Sequence, residues 1–255
     1  MTHPHGYIFS NSQINMKILL LGKSGLLGSE FLEILERSKV EFLAPSHNKL
    51  DLTNKESRKT FFADHGTHFD RVIFCAAYTD VEGAEKYQEQ ATQVNVEAVK
   101  YLADLGMPLI HFSSDFIFDA PEKLEIPEDY KPHPVNFYGE TKLRAEKILE
   151  GSDIDFWNIR TSWIFGKKRE NFITKMLEIA REQKQLKIID DQRGRPTYAK
   201  DLAVFVYDHF VQQSQPIGHY HLQNTGEPVS WADLAEYFLQ NKAVQDSAYQ
   251  GVEIF

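Results

Sequence analysis

Tyr138 and Lys142 stand four residues apart in the sequence YGETK. On a helix this spacing places both side chains on one face, where the ammonium can lower the pKa of the phenol from its usual value of about 10. Such a phenol can exchange a proton with a carbonyl oxygen near neutral pH. Alone, the pattern more often marks an exposed helical pair. It gains weight from Ser114, whose hydroxyl ends a predicted strand upstream, although a serine there can also be a simple turn residue. Ser114, Tyr138 and Lys142 are therefore the candidate catalytic residues.

A glycine-rich turn, GKSGLLG, follows the apolar run KILLL and opens an amphipathic helical pattern. Glycines at this spacing allow a tight turn and a close backbone approach, and a helix N-terminus favours the negative charge of a pyrophosphate. A plain strand-to-helix turn is the alternative, but the position between a buried strand and an amphipathic helix favours a nucleotide. The spacing is typical of short-chain dehydrogenases and reductases. The residues predicted to hold the cofactor here are Gly22, Lys23, Ser24, Gly25, Leu26, Leu27 and Gly28.

Strand and helix patterns alternate along the chain and must position these residues. Strands are predicted at 17–21, 41–45, 71–76, 109–112 and 156–160, with helices at 54–65, 88–105 and 137–149. This alternation predicts an α/β, Rossmann-like, doubly wound parallel sheet. After residue 166 the rhythm changes, with helices predicted at 171–182, 198–211 and 231–239 and strands at 186–189 and 220–222. We therefore expect a loose extension at 1–15, a dinucleotide-binding domain at 16–165 and a smaller C-terminal substrate-binding lobe at 166–255.

Composition excludes several classes of function. The 255 residues hold 28 Lys and Arg against 37 Asp and Glu, a net charge of −9, which argues against duplex DNA or an anionic membrane as partner. A single cysteine excludes a disulfide framework and a Cys-rich zinc site. No apolar run approaches the roughly 20 residues that span a bilayer, and the polar N-terminus does not look like a secretory signal. A cytoplasmic protein is expected, with no nucleic-acid or membrane partner.

Taken together, the motifs resemble the dTDP-4-dehydrorhamnose reductases, extended short-chain reductases of sugar-nucleotide metabolism. The resemblance runs from Met16 to about Leu239. Its segments are GKSGLLG (22–28), KLDLTN (49–54), CAAYTDVEGAE (75–85), VNVEAV (94–99), HFSSDFIFD (111–119), PVNFYGETKLRAE (134–146), IRTSWIFG (159–166), NFITKML (171–177) and DDQRGRPTYAKDLA (190–203).

The resemblance implies a role for each matching residue. Tyr138 would protonate a 4-keto oxygen, Lys142 would hold the nicotinamide ribose, and Ser114, where the family usually has threonine, would hydrogen-bond the substrate oxygen. Further cofactor contacts are implied for Asp51, Leu52, Ala76, Ala77, Tyr78 and Asn95. Further substrate contacts are implied for Thr79, Asp115, Trp163, Asn171, Gln192 and Arg195. For Trp163, a place in the core is the alternative.

The cofactor preference rests on the segment APSHNK at 44–49. NAD-selective sites place a carboxylate roughly 20 residues after the glycine loop, and no acidic residue precedes Asp51 here. Ser46, with Lys49 and Lys23, could instead meet a 2′-phosphate. We expect NADPH to be used at least as well as NADH, with use of both as the alternative. The resemblance also associates the family with Mg²⁺, but no residues are assigned to it, and no transition-metal site is predicted.

Three functions follow from this pattern. The first is NAD(P)H-dependent reduction of a 4-keto group on a nucleotide-linked deoxyhexulose, foremost dTDP-4-dehydro-L-rhamnose to dTDP-L-rhamnose. The second is a nucleotide-sugar epimerase or dehydratase, although a dehydratase would carry Asp-Glu where Asp115 is followed by Phe116. The third is a non-catalytic, NADP-binding regulatory subunit like that of methionine adenosyltransferase.

Three further features bear on this choice. The chain has EGAE at 82–85 where the family has DKAE, and it stops at Phe255, before the family's final helix. These departures leave the substrate open, whereas the intact Ser114, Tyr138 and Lys142 favour an enzyme. The expected partner is a nucleotide-linked sugar, and a homodimer is the expected assembly.

Overall fold

The fold centres on a six-stranded parallel sheet. The computed structural model describes residues 16–119, 125–213 and 215–255, so the predicted extension at 1–15 lies outside the described residues. The strands are β1 (Lys17–Leu21), β2 (Glu41–Leu43), β3 (Arg71–Phe74), β4 (Leu109–Ser114), β5 (Phe156–Thr161), β6 (Ile164–Phe165), β7 (Gln185–Leu186), β8 (Arg193–Gly194), β9 (Thr197–Tyr198), β10 (Gly218–His221), β11 (Val229–Ser230) and β12 (Glu253–Ile254). The central sheet has the order β2-β1-β3-β4-β5-β10, and the remaining strands form short pairs.

Helices cover both faces of this sheet. They are α1 (Leu26–Arg37), α2 (Lys55–His65), α3 (Val81–Lys86), α4 (Gln88–Thr92), α5 (Ala98–Asp104), α6 (Phe137–Glu150), α7 (Phe172–Glu182), α8 (Ala199–Val206) and α9 (Trp231–Ala243). The segments Gln93–Glu97 and Tyr207–Val211 are π-helical, and Asp115–Ile117 and Ser247–Tyr249 are 3₁₀ turns. One apolar layer joins α1 and α8 to the sheet, and the opposite layer joins α2, α5 and α6 to it. The predicted Rossmann-like, doubly wound parallel sheet is confirmed.

The chain order places a switch point between β1 and β3. From β1 the chain runs outward to β2 and then returns to build β3, β4 and β5 on the other side. In open sheets of this kind, ligands bind beyond the carboxyl ends of the strands at the switch point. The glycine-rich turn follows β1, and the segment 75–79 follows β3, so both lie at this position.

The C-terminal part of the chain does not form one separate lobe. Residues 199–221, which the sequence analysis places in the smaller lobe, pack in the central layers, since β10 pairs with β5 and α8 packs on α1. The cause is apolar content, because Leu202, Val206 and Phe210 are buried with Phe31 of α1. A separate apolar cluster, built on Met176, Ala180, Leu186, Ala235, Leu239 and Tyr249, holds α7 and α9 together. Between α7 and α9, the chain therefore returns to the central sheet.

No helix in the described ranges has the length and apolar character needed to cross a bilayer.

Candidate active site

The three candidate catalytic residues meet at the carboxyl end of β4. Ser114 is the last residue of β4, and Tyr138 lies in the first turn of α6, which Asn136 caps by accepting from the Gly139 N–H at 2.8 Å. Lys142 follows one turn later and is only 3% exposed. Its Nζ donates to the Phe112 carbonyl at 3.0 Å and lies 5.9 Å from the centroid of the Tyr138 ring. The structure thus brings a hydroxyl, a phenol and an ammonium into one buried corner.

Gly139, inside the YGETK motif, allows α6 to approach the 3₁₀ turn that follows β4. A Cβ at this position would collide with the carbonyl oxygen of Phe116. The Phe116 ring meets the Tyr138 ring edge to face, with centroids 5.7 Å apart. Gly139 therefore sets the distance between the two elements that carry Ser114 and Tyr138, a role that the sequence analysis missed.

The EGAE departure at 82–85 has a local explanation in α3. A Cβ at Gly83 would lie 2.5 Å from the Tyr78 hydroxyl, so the glycine makes room for that ring. Glu85 accepts from the Phe137 N–H at 2.7 Å, at the first turn of α6. The segment 82–85 therefore holds the first turn of α6 in place through Glu85.

The pKa values of Tyr138 and Lys142 are both shifted by burial. Burial raises the pKa of Tyr138, the Ser114 hydroxyl offsets part of this effect, and the charge of Asp115 adds to it. Burial also lowers the pKa of Lys142 to about 8, while the charge of Glu146 opposes the change. The sequence predicts that Lys142 lowers the phenol pKa, whereas in this structure burial raises that pKa and only the Ser114 hydroxyl acts against the rise. The phenol stays protonated at neutral pH, which is the state that a proton donor requires.

Asp115 is linked directly to Ser114. The Ser114 hydroxyl donates to Asp115 Oδ1 at 2.9 Å and accepts from the Phe116 N–H at 3.3 Å. Burial raises the pKa of Asp115 to about 6, and the hydrogen bond from Ser114 acts against this rise. The Asp115 carboxyl group therefore binds the same Ser114 hydroxyl that lies beside the Tyr138 phenol.

A polar cavity of about 360 Å³ opens beside this corner. Asp115 lines it together with Arg195, whose Nε donates to the Gly226 carbonyl at 2.9 Å. The other lining residues are Phe118, Glu125, Ile126, Arg160, Thr161, His221, Gln223, Asn224 and Thr225. Its charged and hydroxyl-bearing walls suit a polar ligand, and two of the predicted substrate residues face it.

Trp163 occupies a strained position between β5 and the C-terminal elements. Its φ is +48°, which is rare for a residue other than glycine. The indole stacks on Trp231 with centroids 3.6 Å apart and planes within 6°. A Cβ at Gly194 would lie 2.5 Å from Trp163 Cε2, so the glycine is required for this packing. The structure thus shows an aromatic stack, and a sugar contact for Trp163 stays a prediction.

Asn171, another predicted substrate residue, lies at the start of α7. Asn171 caps α7: its Oδ1 accepts from the Ile173 and Thr174 N–H groups, and its Nδ2 donates to the Gly166 and Arg169 carbonyls. Asn171 therefore has a structural role at the start of α7, since local backbone groups engage both ends of its amide, and its substrate contact stays a prediction.

Gln192 is exposed just before β8, and Thr79 is exposed beyond β3. The structure places neither of them on the wall of the polar cavity.

The glycine loop has the geometry of an anion cradle. Gly22 has φ +84°, and a Cβ there would lie 2.5 Å from the Ala76 nitrogen, so the ends of β1 and β3 touch at this point. A Cβ at Gly28 would collide with the Gly22 carbonyl. Gly25 is the N-cap of α1, where no side chain caps the helix and no acidic residue lies in the first turn. The first N–H groups of α1 are thus left for an anion, and the remaining loop residues Lys23, Ser24, Leu26 and Leu27 surround this end.

A cleft of about 780 Å³ continues from the loop between β2 and α2. Lys23, Ser46 and Lys49 all line it, as the sequence analysis predicts for a 2′-phosphate, and so do the carboxylates of Glu56 and Asp64.

Asp51 and Leu52, predicted at the adenine side, are half-buried next to α2. The Asp51 carboxylate accepts from the Thr53 N–H at 2.9 Å and from its hydroxyl at 2.7 Å, and the Leu52 carbonyl accepts from Arg58. Their contact with adenine stays a prediction.

Asn95 supports the loop after β3 from behind. Its Oδ1 accepts from the Tyr78 N–H at 2.8 Å, and its Nδ2 donates to the Tyr78 carbonyl at 3.1 Å and to Thr141 Oγ1 at 2.9 Å. Its side chain is fully buried. Asn95 therefore positions the loop after β3, since these partners use both of its amide N–H groups, and its cofactor contact stays a prediction. The loop residues Ala76, Ala77 and Tyr78 are half-buried at the switch point.

The residues present fit a nicotinamide dinucleotide. The uncapped first turn of α1 suits the pyrophosphate of the cofactor. The cleft lined by Lys23 and Lys49 suits the 2′-phosphate of NADPH. For Mg²⁺ the picture is different: in the described part of the chain no group of three or more His, Cys, Asp or Glu side chains could hold a metal ion.

A buried polar network behind Lys142 was missed by the sequence analysis. Glu146 of α6 pairs with Arg160 of β5 at 2.8 Å. His111 Nδ1 lies 2.6 Å from Asn158 Oδ1, and Asn158 Nδ2 lies 2.9 Å from His219 Nδ1. These partners come from four different elements, so their pairing leaves no periodic signal in the sequence.

Comparison with known proteins places the chain in a family. The family described as "RmlD substrate binding domain" matches residues 16–254. The chain is similar to a dTDP-4-dehydrorhamnose reductase of Aggregatibacter actinomycetemcomitans, with 34% identity over 229 residues, 86% of this chain and 76% of that protein. It is also similar to the spore coat polysaccharide biosynthesis protein SpsK of Bacillus subtilis, with 30% identity over 233 residues, 90% of this chain and 80% of that protein.

A solved structure agrees with these matches. The dTDP-4-dehydrorhamnose reductase from Bacillus anthracis, in complex with NADP, superposes with a TM-score of 0.83 at 27% identity and covers 94% of this chain and 84% of that one. The chain belongs to the dTDP-4-dehydrorhamnose reductase family of NAD(P)H-dependent oxidoreductases.

Proposed function

We propose that the protein uses NADPH to reduce the 4-keto group of a dTDP-linked deoxyhexulose, with dTDP-4-dehydro-L-rhamnose as substrate and dTDP-L-rhamnose as product. The observation that carries the proposal is the convergence of Ser114, Tyr138 and Lys142 between the uncapped start of α1 and a polar cavity. A hydroxyl, a protonated phenol and an ammonium are the groups that carbonyl reduction requires. NADPH, when bound, supplies the hydride.

Each side chain then has a defined task. Tyr138 donates its phenolic proton to the carbonyl oxygen, and the Ser114 hydroxyl holds that oxygen by a hydrogen bond. Lys142 holds a ribose hydroxyl and stabilises the tyrosinate that remains, since its ammonium lies on the same face of α6. The buried corner excludes water, which strengthens these interactions.

The polar cavity supports a nucleotide-linked sugar as the substrate class. Arg195 brings positive charge to a site where a diphosphate needs it, and Asp115 offers a carboxylate to sugar hydroxyls. Trp163, stacked on Trp231 at the same end of β5, gives an apolar surface on which a sugar ring can pack. The exposed Gln192 and Thr79 are proposed as further substrate contacts, outside the wall of the polar cavity.

The test is the oxidation of NADPH, followed by absorbance, with a panel of nucleotide-linked 4-keto sugars. We expect turnover with dTDP-4-dehydro-L-rhamnose, and weaker or no turnover with the UDP-linked analogue. Binding of NADPH with no turnover of any 4-keto sugar would contradict the proposal and favour a regulatory subunit. Turnover confined to epimerisation, with no net NADPH consumption, would favour an epimerase.

We also propose a homodimer in the cytoplasm. The single cysteine is half-buried, and burial raises the pKa of its thiol, as suits a protein of a reducing compartment. Light scattering coupled to size exclusion tests the assembly, and fractionation of cells that express the protein tests the location.

A further inference from the structure

Glu146 is a carboxylate buried in the layer behind the catalytic corner. It receives three hydrogen bonds from Arg160: Nε lies 3.2 and 3.3 Å from the two carboxylate oxygens, and Nη2 lies 2.8 Å from Oε2. Both side chains are at most 5% exposed. Burial alone would raise the pKa of Glu146, but the hydrogen bonds and charge of Arg160 outweigh burial and hold that pKa below its usual range. Glu146 is therefore a fixed negative charge at neutral pH.

This charge lies one helical turn from Lys142. Residues four apart on a helix have Cβ atoms about 5–6 Å apart and share one face. The charge of Glu146 opposes the fall that burial causes in the pKa of Lys142. One carboxylate thus faces two buried cations, Lys142 on its own helix and Arg160 on β5.

The other groups around Lys142 offer it little charge. His111 of β4 is fully buried, and burial and the charge of Lys142 lower its pKa to about 3, so its imidazole is neutral. Burial raises the pKa of Cys75 beyond β3, so its thiol is neutral as well. The other titratable or charged groups described around this corner include Tyr138 and Asp115 on the substrate side and, behind Glu146, Arg160, His219 and His221, with Glu150 beside His219 and Glu128 beside His221.

We propose that Glu146 is a positioning residue for Lys142: its carboxylate, shared with Arg160, keeps the ammonium charged in the site where the cofactor ribose binds. Without Glu146, two cations would face each other in a buried site with no anion between them, an arrangement that costs several kcal/mol unless one loses its proton. Lys142 loses it, since a guanidinium does not deprotonate in this range. The reductase would then fail at neutral pH and recover as the pH falls.

The direct test follows Lys142 in the free protein. In wild-type protein labelled with ¹³C-lysine, the Lys142 Cε resonance is assigned by its loss in Lys142→Met and titrated from pH 6 to 10. We expect Glu146→Gln to move this titration downward by about one pH unit or more. The matched control is Glu150→Gln, one turn further along α6, where the carboxylate is 52% exposed and accepts from His219 Nε2 at 2.9 Å. The control should leave the Lys142 titration in place.

The kinetic arm uses the reductase activity and therefore rests on the proposed function. In Glu146→Gln, kcat should fall at pH 8 far more than at pH 6.5, because only the charged ammonium supports turnover. If wild-type protein turns over no 4-keto sugar, the proposed function fails while the resonance titration still decides the role of Glu146. An equal loss of kcat at every pH, or an unmoved Lys142 titration, would overturn the inference, because a merely structural role predicts both.

A second variant covers the case in which Glu146→Gln does not fold, as judged by circular dichroism. Arg160→Gln removes the competing cation and leaves Glu146 to Lys142 alone. The Lys142 titration should then move upward, the opposite direction to Glu146→Gln. A downward or unchanged titration in this variant would contradict the shared-carboxylate arrangement.

Discussion

At the scale of single residues, the state of Asp115 decides how the Ser114 hydroxyl is used. The hydroxyl proton points to the Asp115 carboxylate at 2.9 Å, while its oxygen lies close to the Tyr138 phenol. A substrate carbonyl needs that same proton, so Ser114 must exchange partners when substrate binds. Burial raises the pKa of Asp115 to about 6, so its carboxyl group is mostly ionised at neutral pH and becomes half protonated near pH 6, where its hold on the Ser114 proton weakens.

The shifted pKa of Asp115 predicts a pH-dependent gain in stability for Asp115→Asn. Burial raises this pKa from 3.8 to about 6, so the folded state binds the proton more tightly than the unfolded state. That stability is complete below about pH 4 and is lost as the pH rises through about 6. Asp115→Asn should therefore match wild type near pH 4 and exceed it at pH 7.5 by on the order of 2 kcal/mol. Urea unfolding at both pH values measures this, with exposed Asp129→Asn as control. A constant difference would argue against a buried, titrating Asp115.

Gly25→Val is expected to weaken cofactor binding while the fold is retained. A Cβ at this position meets no atom closer than the Gly22 carbonyl at 3.4 Å, and φ is −78°, so the backbone tolerates a side chain. The branched side chain would stand over the free N–H groups of α1, where a pyrophosphate must approach. The Kd for NADPH should rise by on the order of tenfold or more, about 1.4 kcal/mol. Calorimetry measures it, and unchanged Kd values for both NADPH and NADH would show that the loop assignment is wrong.

At the scale of elements, the π-helical turn between α4 and α5 joins the cofactor loop to the catalytic helix. Such turns inside α-helices frequently occur at functional sites. Here the turn carries Asn95, which holds the Tyr78 backbone on one side and Thr141 of α6 on the other. Thr141 in turn donates to the Tyr138 carbonyl at 2.7 Å. A shift of this turn would therefore move both the loop after β3 and the start of α6 at Tyr138.

Asn95→Ala should cost on the order of 2–4 kcal/mol of stability, because it leaves the half-buried N–H and carbonyl of Tyr78 and the buried Thr141 hydroxyl without this partner. The same change should raise the KM for NADPH, since the loop after β3 loses its support. Exposed Asn241→Ala in α9, which removes one hydrogen bond to Tyr237, should stay within about 0.5 kcal/mol of wild type. Guanidinium unfolding measures both variants, and an equally small effect of Asn95→Ala would contradict the positioning role.

The strongly patterned elements could be predicted from the sequence, and the short ones could not. Apolar runs such as 17–21 and helical periods such as 137–149 agree with β1 and α6 within a residue or two. The helix α3 was missed because six residues are too few for a period to show. The long helix predicted at 88–105 contains the π-helical turn, which hydrophobic spacing does not reveal.

At the scale of the whole molecule, the return of the chain to the central sheet links the two parts of the site. After α7, residues 199–221 return to the central layers, where β10 pairs with β5 and α8 packs on α1. The segment that contains α7 is therefore connected to the central sheet layers at both of its ends. Lys168, between β6 and α7, pairs with Glu30 and Glu33 of α1 at 2.9 and 2.5 Å. The cofactor-side helix and the start of the substrate side are thus joined by charge as well as by packing.

The cleft between β2 and α2 predicts the cofactor preference. Lys23, Ser46 and Lys49 line it, so NADPH should be used at least as well as NADH. Ser46→Asp should weaken this preference, because a carboxylate repels a 2′-phosphate and accepts from a 2′-hydroxyl. The comparison is kcat/KM for both cofactors, with Gln213→Glu as a control that adds the same charge at an exposed position outside the cleft. Wild-type kcat/KM values at least about tenfold higher with NADH would contradict the assignment.

The motif residues of the candidate site could be predicted from the sequence, but the residues that hold them in place could not. Ser114, Tyr138 and Lys142 were identified from spacing and context, and the structure brings them together. The capping role of Asn171 could not be predicted, because an amide that caps a helix and one that binds a ligand look alike in a sequence. The Glu146–Arg160 pair joins α6 to β5 across the sheet layer, and only the fold reveals such a partnership.

The most direct test of the central claim is the turnover number of Tyr138→Phe with NADPH and dTDP-4-dehydro-L-rhamnose, measured together with NADPH affinity. The variant keeps the buried ring that packs on Phe116 and loses only the phenolic proton. We expect a fall in kcat on the order of 10²–10⁴-fold with an unchanged Kd for NADPH. A variant that turns over at close to the wild-type rate would rule out Tyr138 as the proton donor.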